Sequence, residues 1–427
     1  MVSEETKNRM KKTTFLAVLK NKEFLKLWLS QSLSQLTANM LNFILIVKIY
    51  EATGSTVAVG LLLALYVAPS LFLGLFTGAF IDLWSKRKIL ILTNLSQALI
   101  VLLYLGVGSK AWPIYSIVLL YSLCDEFFNP SQAALLPALV KKDHFPAANS
   151  FFFFTMHGAF LIGYSMGGPV IKILGQRSPF ILASIFLFIA TLATYLLPKD
   201  KPRRKWDLEK GFGEIAEDIK EGYNFIKNEA RVLIPIGLYV LTQILLATVV
   251  ILFPSYSQNV LGIDIRDAGL ILILPAGFGA ILGSVFIERS IRKLGKRVLI
   301  SLGIFGSSLG LMSLALVVPR IPLPTLAAFI TMFVLGFAAI MVNIPAQTLI
   351  QENTPFDVRG RVFGVIGSLV TVAAAIPVFI TAALVDLIGV TWIVFIISAI
   401  VFALGLVSLR KKYVLQIYNR TKQNETK

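Results

Sequence analysis

Two adjacent acids, Asp125 and Glu126, lie inside a run that is otherwise apolar enough to cross a membrane. Counted inward along a helix at about 1.5 Å per residue, they fall roughly 13 residues deep, near the bilayer midplane. An ionisable side chain is costly there and usually faces a cavity or a partner. Two chemistries remain open. One acid can line a central cavity as a proton-titrating or cation-recognising group, or it can pair with a basic or amide group across the bundle and fix the packing. Neighbouring residues on a helix diverge by about 100°, so the two carboxyls cannot share one environment.

Amides form a second set. Gln31, Gln35, Asn39 and Asn42 recur at spacings of four, four and three, which places them on one helical face. Such a face can line a polar cavity or hold helices together through amide hydrogen bonds. Gln243 and His157 are isolated polar residues in two further apolar runs. Packing contacts are the ordinary reading of both, and Gln243 is kept as a cavity-lining candidate. A third set is the stretch GAFIDLWSKRKIL, where Asp82 and the cations Lys86, Arg87 and Lys88 interrupt two long uncharged runs. Gly78, one turn before Asp82, permits close helix approach.

Other chemistry has no residues to carry it. One cysteine, Cys124, and two histidines exclude a disulfide framework within one chain and argue against a His/Cys metal centre. No nucleophile and base pair and no GxxxxGK[ST] phosphate loop is present, so neither an enzyme nor an ATP-driven pump is expected. No cofactor and no metal is expected either.

The elements that must position these residues are membrane helices. Of 427 residues 56% are hydrophobic and 15% charged, with a mean hydropathy of +0.78, outside the soluble range. A helix needs about 20 apolar residues to cross the hydrocarbon. Such runs occur at 26–49, 56–81, 89–108, 112–136, 149–174, 178–198, 232–254, 267–288, 298–318, 324–348, 362–388 and 390–409. They are continuous rather than alternating, which disfavours a barrel. Residues 1–23 carry cations without a short apolar core, so no secretory signal is read there. The net charge of +17 follows from topology rather than from nucleic-acid binding. In a twelve-span arrangement only Lys48, Lys110, Lys172, Arg177, Arg266 and Arg320 of the 40 Lys and Arg residues fall outside, so both termini are expected to be cytoplasmic. The basic inner face should attract anionic lipid headgroups.

A charged segment from Lys199 to Arg231 divides the runs six and six. The expected organisation is a cytoplasmic segment 1–25, a six-helix half 26–198, a linker 199–231, a second half 232–410 and a cytoplasmic tail 411–427. Within the linker Phe212, Ile215, Ile219, Tyr223 and Ile226 form one apolar stripe. This predicts a helix that lies along the membrane surface or docks under the bundle. The halves echo each other. Ser85-Lys86-Arg87 reappears as Gly295-Lys296-Arg297, and Asn129-Pro130-Ser131-Gln132 as Asn343-Ile344-Pro345-Ala346-Gln347, each about half a chain further on. Parallel six-helix repeats are a known transporter architecture, with the binding site at the repeat interface.

The pattern Gly78-x-x-x-Asp82-x-x-Ser85-Lys86-Arg87 resembles the major facilitator superfamily signature between helices 2 and 3, usually G-x-x-x-D-x-x-G-R-K. Together with Asp125 to Pro130, Leu136-Pro137, Ala148-Asn149, Ile162-Gly163, Gly167-Gly168 and Arg359 to Gly364, the chain is similar to bacterial macrolide-efflux and enterobactin-exporter permeases. The resemblance implies an all-α integral membrane protein with twelve transmembrane helices in two six-helix pseudo-symmetric halves, the major facilitator fold. It further implies that Asp82 and the following Ser85, Lys86 and Arg87 hold their loop against the inner end of the eleventh helix beside Arg361. That contact would gate the cytoplasmic side. An acid at the position of Asp125 is a feature of similar exporters. Ser85 replaces the second glycine of the signature, and Arg292 stands where the second half would carry the acid.

The functional expectation is a secondary active exporter of small amphipathic drug or siderophore-type molecules, a proton-coupled antiporter working by alternating access. A lipid or lysophospholipid transporter of the same fold is the alternative, and a non-transporting receptor or scaffold a more distant one. Expected partners are a small-molecule substrate, protons and membrane lipids, with no nucleic acid, and the chain is expected to act as a monomer in the plasma membrane.

Overall fold

The computed structural model describes residues 15–108, 110–200, 217, 220–355 and 358–409. Among the described residues twelve long helices follow in order. The first six are α1 (Lys22–Thr53), α2 (Thr56–Leu83), α3 (Lys86–Leu102), α4 (Ala111–Leu139), α5 (Phe145–Leu174) and α6 (Ser178–Tyr195). The second six are α7 (Ala230–Asn259), α8 (Leu274–Leu294), α9 (Lys296–Leu316), α10 (Pro324–Asn353), α11 (Arg359–Ile388) and α12 (Val390–Leu409). Nine of them, among the described residues, are long and apolar enough to cross a membrane. The others are α4, α11 and α12. In α4 the shortfall has a chemical cause, because Asp125, Glu126, Asn129, Ser131 and Gln132 occupy its middle.

Helix limits follow local chemistry. Asn21 precedes α1 and its Oδ1 accepts from the amides of Glu23 at 3.0 Å and Phe24 at 3.2 Å, satisfying donors that a helix start leaves unpaired. Gly175, Gly295 and Gly389 stop α5, α8 and α11 with φ of 89°, 78° and 88°, a conformation that side chains with a Cβ resist.

The chain forms two compact units, one of residues 1–53 and 62–211, the other of 54–61 and 212–427. Within the first, α1 packs on α4, α5 and α6, and α3 packs on α4 and α6. Within the second the same scheme recurs six helices later, with α7 on α10, α11 and α12, and α9 on α10 and α12. Even the polar contacts correspond: Ser184 Oγ of α6 donates to the Ala98 carbonyl of α3 at 3.0 Å, and Ser308 Oγ of α9 to the Ser398 carbonyl of α12 at 3.2 Å.

In lipid, helix association relies on close van der Waals packing, which small residues permit. The tightest crossing is α8 on α10. A Cβ at Gly279 would lie 1.9 Å from the Phe333 carbonyl oxygen, and one at Gly336 would lie 1.8 Å from that of Ala276. In the first unit Gly163 of α5 meets α1 in the same way, its notional Cβ 2.8 Å from the Met40 amide nitrogen.

Of the linker stripe, Phe212, Ile215 and Ile219 lie outside the described residues. Residues 220–228 are helical. Ile226 is buried with Val232 and Ile236 of α7, Ile350 of α10 and Val362, Val365 and Ile366 of α11, whereas Tyr223 is exposed.

Because backbone blocks both sides of the α8–α10 crossing, Gly279→Val and Gly336→Val are expected to force the helices apart and lose the monodisperse peak in detergent size-exclusion chromatography. Gly237→Val, where a Cβ meets nothing within 4 Å, should behave as the native chain does.

Candidate functional site

Asp125 is the fifteenth of the 29 residues of α4. Its Oδ2 accepts from the Tyr66 hydroxyl of α2 at 3.1 Å and its Oδ1 from Gln97 Nε2 of α3 at 3.2 Å. The Asn42 side chain of α1 in turn hydrogen-bonds the Tyr66 hydroxyl. One turn along α3, Asn94 Nδ2 donates to Ser30 Oγ of α1 at 3.0 Å. Four helices of the first unit thus converge on a single acid through uncharged donors.

Glu126 takes a different direction. It hydrogen-bonds Ser70 of α2, and its Oε1 lies 3.4 Å from the position a Cβ on Gly74 would take. Ser70 and Gly74 are exposed. The angular divergence of neighbouring helical residues therefore places Asp125 among the helices and Glu126 at a rim of α2.

The amide face of α1 is divided in its contacts. Gln31 is buried and its Nε2 donates to the Phe152 carbonyl of α5 at 3.2 Å. Gln35 Nε2 reaches Asn129 Oδ1 of α4 at 3.2 Å, while Asn39 Nδ2 bonds back to the Gln35 carbonyl at 2.8 Å. In the second unit Gln243 Nε2 donates to the Tyr239 hydroxyl, one turn earlier on α7, at 2.9 Å. His157 meets Phe153 edge to face, with centroids 4.3 Å apart. Phe151 and Phe152 pack on Phe24, whereas Phe153 and Phe154 are exposed.

At the signature stretch, Gly78 and Asp82 lie in the last turns of α2, and the Asp82 side chain is outside the described ones. The residues that follow are held within their own unit. Ser85 caps α3, its Oγ accepting from the Lys88 amide at 3.3 Å and donating to Asp200. Asp200 also accepts from the amides of Lys86 at 2.7 Å and Arg87 at 3.2 Å. A carboxylate on these orphan donors is favoured by the positive helix end. The Arg87 guanidinium donates to the Tyr195 carbonyl and lies 5.3 Å from the Tyr195 ring centroid. In the second unit Lys296 pairs with Glu352, and Arg292 lies 3.6 Å from Glu288 in an exposed pair. Arg361 pairs with Glu221 of the linker helix at 2.7 Å. Also in that unit, Asp386 of α11 accepts from Ser55 Oγ at 2.6 Å and from the amides of Thr56 at 2.9 Å and Val57 at 3.1 Å.

Sequence reading missed Tyr66, Gln97, Asp200, Glu221 and Asp386. Gln97 and Asp386 left a trace, as polar residues inside apolar runs. Tyr66 left none, since a tyrosine in an apolar run has no distinct periodic signature.

Two units that repeat one six-helix packing scheme are an architecture known among transporters. The chain belongs to the Major Facilitator Superfamily, whose profile matches residues 27–378. It is 25% identical over 391 residues to an uncharacterized MFS-type transporter, YfiS, of Bacillus subtilis (strain 168), covering 90% of this chain and 91% of that one. It is also 25% identical over 396 residues to the multidrug efflux pump Tap of Mycolicibacterium fortuitum, with 88% and 93% covered. Macrolide efflux protein A of Streptococcus pyogenes is 22% identical over 382 residues, with 86% and 90% covered. Among solved structures, the nucleoside transporter NupG superposes with a TM-score of 0.71 at 13% identity over 91% of this chain and 98% of that one. The fold is therefore the major facilitator fold, and the resemblance to macrolide-efflux permeases holds.

Tyr66→Phe and Gln97→Leu each strip one donor from a carboxylate among helices. Each is expected to cost about 1–3 kcal/mol, read as a lower melting temperature in detergent, with a smaller loss in the double variant than the two single losses added together.

Proposed function

We propose that the protein is a secondary exporter of small amphipathic molecules, coupled to protons through Asp125. The observation that carries this reading is the acid midway along α4 with neutral hydrogen-bond partners in Tyr66 and Gln97. A cation beside it would hold the carboxylate ionised, whereas neutral donors leave protonated and ionised forms both accessible. Kinship with Tap and macrolide efflux protein A, named for multidrug and macrolide efflux, supports export of drug-like molecules. Glu126, at the rim of α2, is the second candidate for coupling or substrate recognition.

All twelve helices cross the membrane in this reading, with both termini cytoplasmic and the chain in the plasma membrane as a monomer among anionic lipids. Gln31, Gln35, Asn39, Asn42 and Gln243 line the substrate path where their amides are not committed to neighbouring helices. Gly78 and Asp82, with Ser85, Lys86, Arg87 and Arg361, form the cytoplasmic gate. Asp200 holds the backbone amides of Lys86 and Arg87, the Tyr195 carbonyl takes the Arg87 guanidinium and Glu221 pairs with Arg361; Asp82 carries the switching charge of the gate in this reading.

In a host lacking its own exporters, the chain should confer resistance across a panel of amphipathic drugs, and a protonophore should abolish it. Asp125→Asn should remove the response to a pH gradient; an unchanged response in Asp125→Asn and Glu126→Gln alike would refute proton coupling. Altered lipid distribution without resistance would replace drug export with lipid transport. For the gate, Asp82→Asn at normal membrane levels is expected to lose most transport, measured as drug accumulation in the same cells.

A further inference from the structure

By sequence α2 belongs to the first six helices, yet residues 54–61, which hold its first turns, belong to the second compact unit. The side chains that keep them there come from α11 and α7. Asp386 of α11 accepts from Ser55 Oγ at 2.6 Å and from the Val57 amide at 3.1 Å on Oδ2, and from the Thr56 amide at 2.9 Å on Oδ1. One turn back along α11, Ala382 is fully buried. A Cβ on Gly60 would lie 3.3 Å from the Ala382 Cβ, 3.3 Å from Ile251 Cδ1 of α7 and 3.6 Å from the Phe379 ring. Thr56 and Val59, on the same face of α2 as Gly60, are buried too. Phe379, Ala382 and Asp386 follow at helical spacings of three and four, so one stripe of α11 meets one stripe of α2.

Two features make this contact separable. The start of α2 has a cap of its own, because Ser55 Oγ accepts from the Ala58 amide at 3.3 Å and the Ser55 carbonyl from the Val59 amide at 3.4 Å. The helix therefore keeps part of its N-terminal hydrogen bonding when Asp386 leaves. Asp386 itself is exposed, so water can take over its oxygens and its release strands no buried charge.

The contact lies at the end of α2 opposite the signature stretch, the end expected on the outer side. At the inner end the proposed gate sets Asp82 of α2 against the start of α11; at the other end Asp386 of α11 sits on the start of α2. We propose that Asp386 is an outer latch: bound to the start of α2 it keeps the outer side closed, and it must let α2 go for that side to open. Unpaired amides and the positive helix end favour a carboxylate there, so the latch weights one of two states rather than only adding stability. The inference rests on the reading of the chain as an alternating-access transporter and adds the residue that closes its second side.

The test is pulsed EPR distance measurement on the full chain in lipid nanodiscs, with Cys124→Ser as the background. Nitroxide labels on Lys110→Cys and Arg320→Cys report the outer side, and labels on Lys142→Cys and Lys293→Cys the inner side; all four native residues are exposed. Asp386→Asn keeps the size of the side chain and removes its charge. It should raise the ratio of long to short outer distances about fivefold, the effect of one lost helix cap, and move the inner pair toward shorter distances. Thr56→Pro removes one donated amide at the first helical position, where proline is tolerated. It should shift the outer pair in the same direction, and it decides the matter if Asp386→Asn fails to insert. An outer distribution equal to the native one in Asp386→Asn, or in Thr56→Pro where Asp386→Asn does not insert, would overturn the latch. Movement of the inner pair in Asp82→Asn would confine that failure to the latch. A single unchanged distance for both pairs in the native chain and in every variant would bring down the alternating-access reading with it.

Discussion

A carboxylate midway along a helix of an apolar bundle is costly unless the surrounding helices supply its hydrogen bonds. In the first unit this requirement joins α2, α3 and α4 at one point, through Tyr66 and Gln97 on the two oxygens of Asp125. Asn42 then ties α1 to the same cluster through Tyr66. A slip of any of these helices by one residue would rotate a donor by about 100° and strand the acid. The register of the unit and the chemistry of its acid are therefore one constraint.

Acids at helix starts meet the same requirement at the ends of the bundle. Asp200 covers the first amides of α3, and Asp386 those of α2. Both put negative charge where unpaired N–H groups and the helix dipole favour it. Arg87 completes the arrangement at α3 by reaching the last turn of α6 through the Tyr195 carbonyl, the end of a helix where a cation is favoured. Glycine does the complementary work between helices, removing the side chain where two backbones must touch, as at Gly279 and Gly336.

The two units share a packing scheme and a serine-to-carbonyl contact between α3 and α6 and between α9 and α12, but not the polar chemistry of their fourth helices. The helix of the second unit that corresponds to α4 is α10, and it carries Asn343 and Gln347, joined to each other at 3.0 Å, with no acid at its middle. Arg87 of the first unit binds a backbone carbonyl, whereas Lys296 of the second, the counterpart of Lys86, binds the acid Glu352. Repetition preserves what close packing of six helices demands, while a second buried acid would add its own desolvation cost.

Much of this was determined by the sequence alone. Long apolar runs fix helices in a membrane because crossing the hydrocarbon leaves the backbone no other solution here, and the signature residues identified the superfamily. The depth of Asp125 and its divergence from Glu126 were legible too, since both depend only on helical rise and rotation. What the sequence left open was decided by tertiary structure: whether Asp125 meets a cation or neutral donors, which cations of the signature stretch are already engaged, and which carboxylate holds the start of α2. Tyr66 stands 59 residues from Asp125, and Ser85 stands 115 from Asp200. Hydropathy and periodicity act within a turn or a span, whereas a hydrogen bond between helices depends on which faces packing brings together, and that is fixed only when the whole unit has folded.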